Sequence, residues 1–279
     1  MNVKIAKEAG FCFGVKRAMK MAWNKLESNE DGIYALGPLI HNKQAVSKYE
    51  EKGLVTVDNI SSIPEQNNMI IRSHGVGEEV YINADKKQIT IVDTTCPFVK
   101  KIHKIVKEYS KKGYEIIVIG DSKHPEVIGI NGWCNNNSII VKTIEDLKST
   151  NLDKSKKYCV VAQTTINSEL YLKIVDEISK RTNDVIFNNT ICSATKVRQQ
   201  AARELSKEVD CMIVIGGTHS SNTQKLVNIC QEFVSTFAIE TKNDLDSSAL
   251  KKYNTIGVTA GASTPDWIID DVIEFIKSI

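Results

Sequence analysis

The sequence predicts an α/β protein built as a trefoil: three lobes about a pseudo-threefold axis, each a small, mainly parallel four-stranded sheet with flanking helices. Three observations lead there. Cys12, Cys96 and Cys192 each stand just before apolar residues spaced three and four apart, the period of an amphipathic helix. Each such helix is followed by a short apolar run closed by glycine, at Gly37, Gly120 and Gly216, lying 25, 24 and 24 residues after the cysteines. Runs that are apolar on both faces and adjoin helices read as buried parallel strands. Beyond each glycine the order of elements then repeats.

In chain order, VKIA at 3–6 supplies a strand directly before Cys12, and the first helix carries Val15, Met19, Trp23 and Leu26 on one face. IYAL, LVTV and MII follow as strands, and ITIVD leads into Cys96. The second unit repeats the series with a helix bearing Val99, Ile102, Val106 and Tyr109, then IIVI, SIIVK, YCVVA and DVIF. The third has a helix bearing Val197, Ala201 and Leu205, the strands MIVI, TFAIE and IGVTA, and the closing helix WIIDDVIEFIKSI. Its missing fourth strand is VKIA at the N-terminus, which closes the circle. Cutting at the cysteines gives lobes at 13–96, 97–192 and 193–279, the last completed by 1–12.

Lys and Arg number 36 against 34 Asp and Glu, a net charge of +2, which argues against nucleic-acid binding driven by bulk charge. A hydrophobic share of 42% and a charged share of 25% are globular values and exclude a disordered or collagen-like chain. No run of eighteen apolar residues occurs, and the first ten residues lack the apolar stretch of a signal peptide, so a cytoplasmic protein without membrane association is expected. Seven cysteines in a reducing compartment point to metal or redox chemistry rather than disulfides. No C-x-x-C pair, P-loop or dinucleotide fingerprint is present.

Ligands of parallel sheets sit beyond the carboxyl ends of the strands, where loops run into helix N-termini. Cys12, Cys96 and Cys192 each occupy such a place and are expected to converge. Three thiolates with no fourth protein ligand suit a [4Fe-4S] cluster with one open iron, and a three-thiolate zinc site is the competing reading. Cys134, Cys159, Cys211 and Cys230 read as structural residues. His41, His124 and Ser220 lie four residues past the glycine of their unit, and His74, Thr164 and Ser263 follow the third strand. All six are expected to face one cavity, with Ser221 and Asn222 extending the set. Imidazoles, hydroxyls and helix N-terminal amides are what a phosphate needs in place of a P-loop. A Ser-Ser-Asn run is equally an ordinary helix cap. Glu126, in HPEV, is either a first-turn acid favoured by the helix dipole or a proton source two residues from His124. His103 and His219 have no counterparts in the other units and read as surface or core residues. The lysine-rich stretch from Lys100 to Lys112 reads as a solvated helix face, with a docking surface for an acidic electron carrier as the alternative.

Together, GFCFGVKRA around Cys12, GPLIHN with His41, RSHGV with His74, DTTCPFV with Cys96, HPEV with His124 and Glu126, QTT with Thr164, Cys192, SSNT and TAGASTPDW resemble the LytB family, over roughly residues 10 to 267. The resemblance implies a trefoil around a central iron–sulfur cluster bound by Cys12, Cys96 and Cys192. It further implies a diphosphate held by His41, His74, His124, Ser220, Ser221, Asn222 and Ser263. Glu126, Thr164 and His124 would then form the catalytic set, with Thr195 in the network around the substrate hydroxyl. The implied reaction is reduction of 4-hydroxy-3-methylbut-2-enyl diphosphate to isopentenyl and dimethylallyl diphosphates, the last step of the non-mevalonate isoprenoid pathway. Electrons are expected from reduced ferredoxin or flavodoxin, since no flavin or nicotinamide motif is present. In ICSAT an aromatic residue often found after the third cysteine is missing, which bears on local packing alone. The RNA-binding ribosomal-protein-like domain fused to some relatives is expected to be absent, because the sequence ends at Ile279 after the closing helix. A condensing enzyme like quinolinate synthase and a non-catalytic iron–sulfur sensor are the alternatives: the first would act on other substrates, and the second needs no cavity of His, Ser and Glu.

Overall fold

A computed structural model describes residues 1–28 and 32–279. Strand β1 (Asn2–Ile5) precedes helix α1 (Phe13–Glu27). Then come β2 (Ile33–Leu36), α2 (Lys43–Glu50), β3 (Val55–Val57), β4 (Asn68–Ile71), α3 (Glu78–Lys86) and β5 (Thr90–Asp93). Helix α4 (Pro97–Lys111) leads into β6 (Glu115–Ile119), α5 (Pro125–Gly132), β7 (Ile139–Val141), α6 (Ile144–Ser149), β8 (Lys157–Ala162), α7 (Ser168–Arg181) and β9 (Asp184–Phe187). The last series is α8 (Ser193–Ser206), β10 (Cys211–Ile215), α9 (Ser221–Gln231), β11 (Ser235–Ile239), α10 (Ser247–Leu250), β12 (Thr255–Ala260) and α11 (Asp266–Ser278).

The strands form three four-stranded sheets, ordered β3-β2-β4-β5, β7-β6-β8-β9 and β11-β10-β12-β1. Every pairing is parallel, as expected where helices cover both faces. The order is the same in each sheet: second strand, first, third, fourth. β1 takes the fourth place in the last sheet, with Asn2 opposite Thr255 and Ile5 opposite Val258. The glycine that closes each first strand is tied to the end of the second by a main-chain bond: Gly37 to Val57 at 2.8 Å, Gly120 to Val141 at 2.9 Å and Gly216 to Ile239 at 2.8 Å.

The chain divides into two compact units. The larger comprises Arg17–Leu39 and Lys52–Cys192 and holds the first two sheets; the smaller comprises Met1–Lys16, Ile40–Glu51 and Ser193–Ile279 and holds the third sheet with α2. In the larger unit, Ile117, Ile119, Tyr158 and Val160 pack against Ile174 and Ile178 of α7. The alternate residues Ile116, Val118, Cys159 and Val161 pack on Ile102 and Val106 of α4 and Val127 and Ile130 of α5. In the smaller unit, Ile213, Ile215, Ile256 and Val258 meet Ile268, Val272 and Ile276 of α11, while Met212 and Val214 meet Ala202 and Leu205 of α8 and Leu226 of α9. Each such aliphatic side chain contributes about 1.5–3 kcal/mol on full burial.

One helix face differs from the expected one. Val197 of α8 is 51% exposed, and the buried stripe runs through Thr195, Arg198, Ala202 and Leu205, one position round. Arg198 takes an apolar residue's place because its guanidinium donates to the carbonyls of Gly10 at 2.8 Å and Ala194 at 3.4 Å, which offsets the cost of burying a charge. Among the described residues no helix is long and apolar enough to cross a membrane.

Candidate active site

Cys12, Cys96 and Cys192 follow the fourth strand of their sheets and stand immediately before α1, α4 and α8. A recurring main-chain bond fixes each of them. The Cys12 N–H donates to Ala262 O at 3.3 Å, that of Cys96 to Ser73 O at 3.0 Å, and that of Cys192 to Thr164 O at 2.9 Å. Each acceptor is the second residue past the third strand of its own sheet, β12, β4 and β8 respectively. All three thiols are half-buried, and Cys12 Sγ accepts the Val15 N–H at 3.5 Å, an unsatisfied amide of the first turn of α1. The other four are buried, and burial pushes their thiols up, Cys159 to about 12 and Cys211 to about 11, with Cys134 and Cys230 raised as well. A metal needs the thiolate, which burial disfavours at these four.

In the larger unit, the loop after β4 carries His74 and the loop after β6 carries His124. Their imidazoles meet edge to face, with ring centroids 5.4 Å apart. His124 is the N-cap of α5, its Nδ1 accepting the Glu126 N–H at 3.1 Å. In a neutral ring this places the proton on Nε2, making that nitrogen a donor. Glu126 stands in the first turn of α5, two residues past that cap. It is 3% exposed, with Oε1 accepting the Thr164 N–H at 2.6 Å and Oε2 accepting the Thr164 hydroxyl at 2.8 Å. Thr164 thus gives both its donors to one carboxylate while its carbonyl holds Cys192, so the acid and the third cysteine share a single backbone anchor.

In the smaller unit, His41 precedes α2, whose N-cap Asn42 accepts the Ala45 N–H at 2.8 Å. The Ser263 hydroxyl donates to His41 O at 3.2 Å, and Ser263 follows Ala262, so His41, Ser263 and Cys12 share one cluster of loops. Ser220 caps α9 by accepting the Thr223 N–H at 3.3 Å, which uses a lone pair and not its own O–H. Ser221 opens the helix. Asn222 is 5% exposed, and among the described residues neither its Oδ1 nor its Nδ2 has a hydrogen-bond partner. A buried amide left in that state costs about 1–3 kcal/mol, which a ligand at the helix N-terminus would relieve. Thr195 is buried in the first turn of α8.

Counted from the strand ends, His41, His124 and Ser220 are equivalent, as are His74 and Ser263, while Thr164 lies one residue earlier than these two. Sequence reasoning passed over Arg198, which anchors the backbone two residues before Cys12, and left His103 undecided. His103 is 4% exposed, a core residue, and burial lowers it to about 4; His219 is on the surface. No spacing rule signals either finding, since both depend on which carbonyls and rings the fold brings near. The α4 lysines are partly engaged in ion pairs, Lys100 with Asp93, Lys107 with Glu78 and Lys112 with Glu108.

The model of the LytB protein family matches residues 3–277. A 4-hydroxy-3-methylbut-2-enyl diphosphate reductase of Clostridioides difficile is 67% identical over 279 residues, covering 100% of both chains. The solved structure of E-1-hydroxy-2-methyl-but-2-enyl-4-diphosphate reductase from Plasmodium falciparum superposes with a TM-score of 0.91 at 31% identity, over 99% of this chain and 87% of that one. Another solved structure, described as (E)-4-hydroxy-3-methyl-but-2-enyl diphosphate reductase, the terminal enzyme of the non-mevalonate pathway, gives 0.74 at 40% identity over 100% and 99%. With its cysteines, histidines and buried acid in the places described, the chain belongs to the LytB protein family.

Proposed function

We propose that this chain catalyses the two-electron reductive dehydroxylation of 4-hydroxy-3-methylbut-2-enyl diphosphate, giving isopentenyl or dimethylallyl diphosphate and water. Two electrons and two protons enter, the C4–O bond breaks, and its oxygen leaves as water. The observation that carries the reading is the identical main-chain anchoring of Cys12, Cys96 and Cys192, beside four other cysteines whose burial disfavours the thiolate. Three such thiols fit a [4Fe-4S] cluster with one iron open to substrate. The lobes are then 13–96, 97–192 and 193–279 with 1–12, one cysteine from each.

A bound iron–sulfur cluster supplies Lewis acidity towards the hydroxyl and single-electron transfers. The rest falls to side chains. His124 Nε2–H, His41, His74, Ser220, Ser221, Asn222 and Ser263 hold the diphosphate through charge-assisted bonds, with the N-terminus of α9 adding its dipole. Glu126 delivers the proton that lets the hydroxyl depart as water, and the Thr164 hydroxyl, bonded to Glu126 Oε2, orients that transfer. Thr195 completes the hydroxyl network. Electrons come from reduced ferredoxin or flavodoxin, in a cytoplasm that keeps the thiols reduced.

Anaerobic purification followed by iron, sulfide and zinc analysis, Mössbauer spectra and turnover of the diphosphate with a reduced dye tests this directly. Stoichiometric zinc without sulfide, or a cluster-loaded protein that leaves the substrate unchanged, refutes it.

A further inference from the structure

We propose that His103 is a positioning residue that sets the separation of His74 from His124; this rests on the reading of those two histidines as phosphate ligands. His103 projects from α4, outside the motifs that carry the anion site, and is buried. Its imidazole stacks on the indole of Trp133, with centroids 5.3 Å apart and planes at 22°. Its edge bears on the main chain at Gly75, the residue after His74: a Cβ at Gly75 would lie 2.5 Å from His103 Cε1 and 3.2 Å from Nε2. Gly75 also has φ +72°, a conformation that glycine adopts without strain, so neither space nor backbone admits another residue.

Trp133 ties the same loop from the other side, its Nε1–H donating to Val76 O at 2.9 Å. This tryptophan is the C-cap of α5, whose N-cap is His124. Between the two ends, the loop lies directly on the helix. A Cβ at Gly132 would sit 2.6 Å from Gly77 Cα, and one at Gly129 would sit 3.4 Å from Gly75 C. The His74 loop is therefore clamped between α5, which its Gly75 and Gly77 meet with main chain alone, and the edge of an imidazole held flat by Trp133. Among the described residues the buried Nε2 of His103 has no hydrogen-bond partner, so the ring acts here as a spacer rather than as a link in a polar network.

Removing the ring and enlarging it should harm the same property. In the cluster-loaded enzyme, His103→Ala lets the loop sink and His103→Phe pushes it out. Each should weaken inorganic pyrophosphate binding by about tenfold or more, since misplacement by about 1 Å costs on the order of 100-fold where several bonds must align. KM for the diphosphate should rise more than kcat falls. Trp133→Phe keeps the stack and loses the bond to Val76, so a loss of about threefold is expected. Iron and sulfide content and the visible spectrum should be unchanged in all three. Imidazole NMR signals of the four remaining histidines, recorded without ligand, should show His74 and His124 shifted in both His103 variants relative to the unsubstituted protein with its five.

Should His103→Ala not fold, His103→Phe and Trp133→Phe decide. The proposal is overturned if a folded His103 variant binds pyrophosphate within twofold of the unsubstituted enzyme and leaves the His74 and His124 signals in place. If the unsubstituted enzyme fails to bind pyrophosphate while those signals still move, the spacer stands and the phosphate role of the two histidines falls.

Discussion

The two units prepare their polar groups in opposite ways. In the larger, Glu126 is bonded through both oxygens to one threonine, that threonine holds Cys192, and the His74 loop is wedged between a helix and a ring. In the smaller, Ser220 spends a lone pair on its helix, and the buried amide of Asn222 has no hydrogen-bond partner among the described residues. Under the proposed function the contrast would be between a proton donor whose geometry is set before substrate arrives, beside the fixed His74 and His124, and a helix N-terminus whose hydrogen bonds are completed by the anion itself.

The largest expected effect ignores this contrast and bounds it. Cys12→Ser, Cys96→Ser or Cys192→Ser should each strip iron and sulfide, whereas the same change at Cys134, Cys159, Cys211 or Cys230 should leave the visible spectrum as it was. A normal cluster in Cys192→Ser would break the equivalence of the three anchors. Next comes the fixed side. Glu126→Gln keeps an acceptor for Thr164 but cannot supply a proton, so single turnover should slow by at least about 100-fold, with cluster content and substrate affinity changed much less. Turnover near that of the unsubstituted enzyme would show that the prearranged carboxylate is only structural.

The third effect is on stability. Burial holds His103 near 4, with Lys100 lowering it and Asp93 opposing, while an unfolded histidine titrates near 6.5. Between those values the unfolded chain binds the proton and the folded chain does not. Stability from this residue is thus intact above about pH 6.5 and declines towards pH 4, by about 3 kcal/mol in all. Urea midpoints measured across this window should fall less steeply in His103→Phe than in the unsubstituted protein; equal slopes would place the acid sensitivity elsewhere. The smallest effect is on the open side. Asn222→Ala should weaken pyrophosphate binding about tenfold, the loss of a hydrogen bond to a charged group, yet leave the thermal midpoint unchanged or slightly raised because a buried unpaired amide is removed. A marked drop in the midpoint would mean that Asn222 serves the fold.

Most of the sheets could be read from the chain because parallel strands covered on both faces are continuous apolar runs, and IIVI, MIVI and VKIA appear where the pattern places them. Parts of the helices could not. Hydrophobicity favoured Val197 over Arg198, yet the guanidinium is buried because carbonyls at Gly10 and Ala194 receive it, and those partners are far from it in sequence or on its own helix. The site residues were legible as types at repeated positions. That Glu126 faces Thr164 and leaves the cap to His124 was not, because HPEV is compatible with either arrangement until the neighbouring sheet is in place.

The bond that anchors each cysteine uses only main-chain atoms at its partner. Ser73, Thr164 and Ala262 fill the same place, and any L-residue there would offer the same carbonyl. Their side chains are consequently at liberty to diverge: Ser73 donates to Leu39 O, Thr164 serves Glu126, and Ala262 contributes nothing polar. Three main-chain grips on three cysteines can in this way stay alike while the side chains beside them take up different duties, so that chemistry diverges from lobe to lobe without loosening the repeated frame.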